Sequence, residues 1–129
     1  MTRTSRFILA VAGLLGALAV VFGAFGAHAL RNVLDDKAIA IWQTGVDYQF
    51  RHVLALLAVG LLARTRPTRA AKVAASAFVL GIVLFSGSLY ALAFGAPRFA
   101  GMITPLGGVA FIAGWIALAW AALEGSAGA

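Results

Sequence analysis

Three stretches of this chain are longer and freer of charge than the inside of a soluble domain requires, which confines the chain to a membrane architecture. Positions 7–30 hold no formal charge beyond whatever His28 carries. As a helix they exceed the roughly 30 Å of a bilayer core. Positions 73–94 and 105–123 repeat the pattern. A soluble domain carries charge on about a quarter of its residues; here 63% of the 129 residues are hydrophobic, 11% are charged and the mean hydropathy is +0.99. One membrane domain covering 1–129, with no linker, is expected.

A fourth apolar run, 53–63, is only eleven residues long, about 16 Å as a helix and half of what a crossing needs. To span, it has to draw residues from the polar stretch before it, Trp42-Gln43-Thr44-Gly45-Val46-Asp47-Tyr48-Gln49-Phe50-Arg51-His52. That places Tyr48, Arg51 and His52 at membrane depth, inside protein rather than against lipid. Upstream, Leu34, Ala38, Ile41, Trp42 and Val46 share one helical face while Asp35, Asp36, Gln43 and Asp47 share another. This periodicity predicts an interfacial amphipathic helix, started by Asn32 with Asp35 in its first turn and bending into the bilayer at Gly45. The fold class expected is therefore all-α: four transmembrane helices in one bundle, spanning about 7–29, 46–63, 73–94 and 105–123, with an interfacial amphipathic helix leading into the second.

The small residues and turn signals support this division. Gly13, Gly16, Gly23 and Gly26 lie broadly on one side of the first span, where a neighbouring backbone can approach. Ala27-His28-Ala29 looks like a signal-peptidase site, but the apolar run exceeds the roughly 7–15 residues of a signal h-region, so a retained helix is expected. Pro67 breaks the chain within the basic segment 64–72. Thr104-Pro105 reads as N-cap and first residue of the fourth helix, Trp115 and Trp120 approach an interface, and the tail 124–129 is expected to be loose.

The formal charge of +6 is spread through short loops rather than gathered in an aromatic-interleaved patch, which speaks against nucleic acid as a partner. It fits orientation instead. Four spans put Arg3, Arg6, Arg64, Arg66, Arg69 and Lys72 on one side and Arg31, Lys37 and Arg98 on the other, so a bacterial inner-membrane protein with both termini cytoplasmic is expected. With no cysteine, thiolate chemistry, disulfides and Cys-based metal sites are excluded.

Four strings occur in order: Gly23-Ala24-Phe25-Gly26-Ala27-His28, Trp42-x-x-Gly45-Val46-x-Tyr48-Gln49-x-x-His52, Phe85-Ser86-Gly87-Ser88-Leu89-Tyr90 and Ile103-Thr104-Pro105-Leu106-Gly107-Gly108. Together they resemble the small membrane family called domain of unknown function 423, which includes the YgdD-like proteins and transmembrane protein 256. The resemblance covers nearly the whole chain. It implies a four-helix membrane protein and brings with it no reaction, substrate or binding residues.

The candidate site is a polar intramembrane patch of Trp42, Gln43, Asp47, Tyr48, Arg51, His52, Ser86 and Ser88. Helix rise puts His52 and Ser86 at similar depths, about 18 and 20 Å from the basic turn, so Ser86 or Ser88 is expected to bond Arg51 or His52. Gly23, Gly26, Gly87, Gly107 and Gly108 collect in the outer half and are expected to make room for the bulky polar part of the second helix. Asp47 and Arg51, four apart with the acid first, are positioned for an ion pair. His28 and His52 suggest haem or metal ligation, but about 13 Å of depth separates them, and no carboxylate or His-x-x-x-His cluster accompanies them. Neither cofactor nor metal is expected. Ser86 and Ser88 lack a nucleophile-elbow context and no phosphate loop is present, so no enzyme is expected. Two function classes stay open: an accessory or assembly protein that packs against membrane partners or itself, and a minimal carrier or channel for a small solute or proton. A lipid or quinone pocket flanked by Trp42 and Tyr48 is a third.

Overall fold

A computed structural model describes residues 1–124; positions 125–129, most of the tail expected to be loose, lie outside the described residues. The described residues form four long helices and no strand: α1 (Arg3–His28), α2 (Asp36–Leu62), α3 (Arg69–Ala93) and α4 (Ala100–Leu123). α1, α3 and α4 are each long and apolar enough to cross a membrane.

α1 begins at Thr2, whose hydroxyl oxygen accepts from Ser5 N at 3.0 Å and whose own proton goes to the Ala63 carbonyl at 3.0 Å. Ser5 Oγ likewise donates to the Gly60 carbonyl at 2.9 Å. The start of α1 is thereby tied to the end of α2, and the two helices run antiparallel. The buried positions of α1, Ser5, Ile8, Ala12, Ala19 and Gly26, recur at three- and four-residue steps or their sum, the stripe that a helix lays along one antiparallel neighbour. Gly16, Gly23 and Gly26 face Val53, Val46 and Trp42 of α2; Gly13 has open space instead and takes no part in this contact. The opposite face of α1, with Phe7, Leu14, Val20 and Phe25, is exposed.

A 3₁₀ turn, Leu30–Asn32, joins α1 to α2. The cap of α2 is Asp35, which accepts from Ala38 N at 2.8 Å, and not Asn32. Asn32 is consumed by the preceding turn, so the helix starts three residues later than expected. α2 then runs unbroken for 27 residues, through Gly45. The expected bend there is replaced by a close approach. The Tyr90 ring occupies the space of a Gly45 Cβ, with Cε1 2.7 Å from where that atom would lie.

α3 starts on Thr68, which caps Ala71 N at 3.2 Å. Ala71, Ala74, Ala75, Phe78 and Ile82 form its buried stripe. Midway the helix widens into a π turn, Ile82–Ser86, in which Gly87 N–H reaches back to the Ile82 carbonyl. The extra residue per turn shifts the phase of everything after it. α3 ends in a Schellman motif: Gly95 has φ of +91°, Ala96 N bonds Ala91 O and Gly95 N bonds Leu92 O, both at 3.0 Å.

α4 begins at Ala100, led in by i→i+3 bonds from Ala100, Gly101 and Met102. Pro105 is therefore inside the helix rather than at its first position, and Thr104 is not its cap. The Thr-Pro pair matches the capping pattern, but the upstream turn had already nucleated the helix, and the Thr104 hydroxyl turns to Ser88 instead. α3 and α4 are antiparallel, with the Gly107 position on the Phe85 backbone and the Gly114 position on the Phe78 ring. α2 touches all three other helices. The larger core gathers Phe78, Leu56 and Val59 near the chain termini, and a smaller aromatic one gathers Trp42, Phe22 and Tyr90 at the far end.

Candidate functional site

α2 carries polar residues on two faces, and the expected patch divides between them. Trp42 and His52 point inward, joined by Gln49, which is 2% exposed and was not among the expected site residues. Gln43, Asp47 and Arg51, spaced four apart, are exposed on the outside of the bundle. Tyr48 lies between the two groups, half-buried.

The inner face is a set of helix-to-helix hydrogen bonds. Trp42 Nε1 donates to the Phe22 carbonyl of α1 at 2.9 Å. Gln49 Nε2 donates to the Leu15 carbonyl of α1 at 2.8 Å, while its Oε1 accepts from the Tyr90 hydroxyl of α3 at 2.6 Å. Ser86 Oγ donates to the Gly45 carbonyl at 2.7 Å. Ser88 Oγ donates to the Phe85 carbonyl at 2.9 Å and meets Thr104 Oγ1 of α4. Every helix is reached, and among the described residues no buried side-chain polar atom lacks a partner.

His52 sits in an aromatic box. Its ring stacks on Phe111 with centroids 3.5 Å apart and an interplanar angle of 9°, with Phe78 at 5.9 Å. Nδ1 lies 2.8 Å from the Tyr48 carbonyl and Nε2 accepts from Trp115 Nε1 at 3.1 Å. A carbonyl only accepts and an indole only donates, so these two partners define the neutral Nδ1–H tautomer. Both ring nitrogens are engaged, whereas His28 is exposed at the end of α1. Trp115→Phe keeps an aromatic, if smaller, ring and removes the indole N–H. It is expected to lower stability by about 1 kcal/mol, within the range of hydrogen bonds between membrane helices, read as a small drop in detergent Tm.

Two expected pairings do not form. Ser86 and Ser88 bond neither Arg51 nor His52. Ser86 reaches Gly45, seven residues or about 10 Å along α2 from His52, because counting rise from two separate loops ignored the offset between the helices and the π turn. Asp47 and Arg51 do not pair either. Asp47 accepts from Gln43 Nε2 at 2.8 Å, and the Arg51 guanidinium lies over the Tyr48 ring, 5.0 Å from its centroid. Arg51 is on the outer surface, not within the protein as expected. Of the glycines expected to accommodate α2, Gly23 and Gly26 do so, Gly107 serves α3, and Gly87 and Gly108 have nothing within 4 Å. Tyr90, Thr104 and Trp115 had a sequence signal of a kind, since each is a polar group in an apolar helix, yet only the packing identifies their partners.

The family model described as "Protein of unknown function (DUF423)" matches residues 22–108, more than half the chain and all of this inner site except Leu15, Phe111 and Trp115. The chain belongs to the DUF423 family. A "UPF0382 membrane protein" of Haemophilus influenzae is 45% identical over 116 residues, covering 90% of this chain and 93% of the relative. "UPF0382 membrane protein YwdK" of Bacillus subtilis is 46% identical over 108 residues, with 83% and 88% covered. "UPF0382 inner membrane protein YgdD" of Escherichia coli K12 is 42% identical over 112 residues, with 87% and 86% covered. No solved structure matches the chain. This DUF423 chain is thus a membrane protein, as its three apolar helices and its named relatives agree.

Proposed function

We propose that the chain is a non-catalytic assembly protein of the bacterial inner membrane, crossing four times with both termini cytoplasmic, and that the outer face of α2 docks on a membrane partner. The fourth crossing is supported by the ties of α2 to α1 at both ends, from Thr2 and Ser5 against Ala63 and Gly60 to Trp42 against Phe22. A helix bound along a spanning neighbour crosses with it. The modest apolarity of α2 comes from the inward Gln49 and His52 together with the outward Gln43, Asp47 and Arg51. The six-to-three excess of Lys and Arg at the terminal end supports the orientation.

The observation that carries the docking reading is the exposed Asp47 and Arg51. Arg51 is fifteen residues from Asp36 and eleven from Leu62, about 22 and 16 Å from the two ends of α2. A charge at such depth facing lipid costs about 2.5–3.5 kcal/mol. The Gln43 bond and the Tyr48 ring relieve part of this, and a partner covering the stripe relieves the rest. The stripe holds one acid and one base, so a second copy satisfies it as well as a separate subunit does. The carrier reading is less well supported, because the same two charges lie outside the bundle while the internal polar groups are all committed to each other.

The test is native mass spectrometry of protein extracted in mild detergent, beside Asp47→Asn/Arg51→Gln. The wild type is expected as a complex, either a homo-oligomer or one with a stoichiometric subunit. The double variant should be monomeric with Tm nearly unchanged. A wild-type monomer together with a pH-dependent proteoliposome flux that the variant abolishes would give the carrier reading the lead.

A further inference from the structure

A groove of about 820 Å³ opens along the side of the bundle between α1 and α3, a size typical of small-molecule sites. Leu56 of α2 and Ala75 of α3, both buried, lie at its base. Phe7 and Val11 from α1 and Val79 and Val83 from α3 make it apolar along most of its length. At the terminal end the lining changes character, with Arg3 and Lys72, both exposed, beside Thr4 and Ser76.

Two features narrow the occupant. The α3 lining runs from Lys72 to Val83, about 16 Å of helix, which matches one leaflet, half of a core of about 30 Å. The cations also lack acidic partners among the described residues. The sequence has only four acidic side chains; Asp35, Asp36 and Asp47 lie in the far half of the bundle, and Glu124 takes a hydrogen bond from Trp120 Nε1 at 3.0 Å. A soluble anion leaves the apolar length unused, and an uncharged alkyl chain leaves the cations unused. A second copy seated by symmetry on this groove would bring two Arg3–Lys72 pairs together and repel itself.

We propose that the groove is a binding site for an anionic phospholipid. One acyl chain lies between α1 and α3, and the phosphate sits at Arg3 and Lys72 with the Thr4 and Ser76 hydroxyls in reach. Both helices start at this end, so their dipoles add to the attraction. The site is separate from the outer stripe of α2 and does not depend on that stripe binding a partner.

The experiment places the full chain in nanodiscs of equal parts phosphatidylglycerol and phosphatidylcholine, then releases it and counts retained lipids by native mass spectrometry. Each cation near a membrane surface contributes enough that two give about a tenfold or greater preference. The wild type is expected to keep one phosphatidylglycerol at that preference. Arg3→Gln/Lys72→Gln should bring it close to parity, and Arg69→Gln, a cation lining a different groove, should leave it intact. Equal retention of both lipids by the wild type would overturn the proposal without any variant. So would a preference that survives Arg3→Gln/Lys72→Gln, or a lipid-free dimer that Ser76→Trp dissociates.

Discussion

Gly107→Ala is expected to destabilise the bundle by about 2–3 kcal/mol, while Gly108→Ala, one residue on, is neutral or slightly stabilising. A Cβ at position 107 would fall on the backbone N and Cα of Phe85. Backbone atoms cannot rotate aside as a side chain can, so α3 and α4 would have to separate, and overpacking of a filled interface costs about 1–3 kcal/mol. The upper part of that range is expected because Phe85 lies in the π turn Ile82–Ser86 and because separation also stretches the Ser88–Thr104 contact. At Gly108 a Cβ meets nothing within 4 Å, and alanine is intrinsically better in a helix by up to about 1 kcal/mol. The midpoint of SDS-induced unfolding measures both. Equal midpoints for the two variants would show that the helices do not approach at Gly107 as described.

The contrast between these neighbouring glycines marks how far the sequence can be read. Long apolar runs, the Pro67 break and the basic turn are local features, and they sufficed for the helices at 3–28, 69–93 and 100–123. The rule that an 11-residue apolar run must recruit polar neighbours also pointed correctly to a long second helix. The bend expected at Gly45 is absent, since α2 is continuous from Asp36 to Leu62, and amphipathic periodicity has the same form whether the apolar face meets lipid or another helix. Trp42 and Val46 meet α1 and α3. Caps were misplaced by residues with the right chemistry at the wrong step: Asn32 for Asp35, Thr104 for a turn ending at Ala100.

The site was legible as a list of polar residues and illegible as a set of partners. Spacing of four brought Asp47 and Arg51 into reach on paper, but Gln43 stands four residues the other way from Asp47, and Tyr48 offers Arg51 a ring. Which face of α2 points outward depends on where α1 and α3 pack, a long-range outcome. Gln49 shows the same limit. Its importance comes from the Leu15 carbonyl and the Tyr90 hydroxyl, thirty-four and forty-one residues distant, and no local pattern announces either.

Gln49→Leu tests whether that inner network holds the bundle together. Leucine is of similar size and fully apolar, so the change removes two hydrogen bonds without opening a large cavity. Gln49 hydrogen-bonds both α1 and α3 from α2 through one side chain, so its loss loosens two interfaces at once. Tyr90 loses its 2.6 Å acceptor and keeps the Ser86 side chain as a hydrogen-bonding neighbour, so the loss at this end is that of one bond between membrane helices, about 1 kcal/mol. The Leu15 carbonyl keeps its bond within α1 and suffers less. Gln49→Leu is therefore expected to lower stability by about 1–2 kcal/mol, again by SDS unfolding. Tyr90→Phe alone should cost about 1 kcal/mol, since it strands only an amide oxygen. The decisive comparison is the double variant Gln49→Leu/Tyr90→Phe, which removes both members of the pair. Its cost should fall short of the sum of the two single costs, because the bond between them is lost only once. Strictly additive costs would mean that the two side chains do not meet, and that the polar groups of α2 serve something other than the packing of its neighbours.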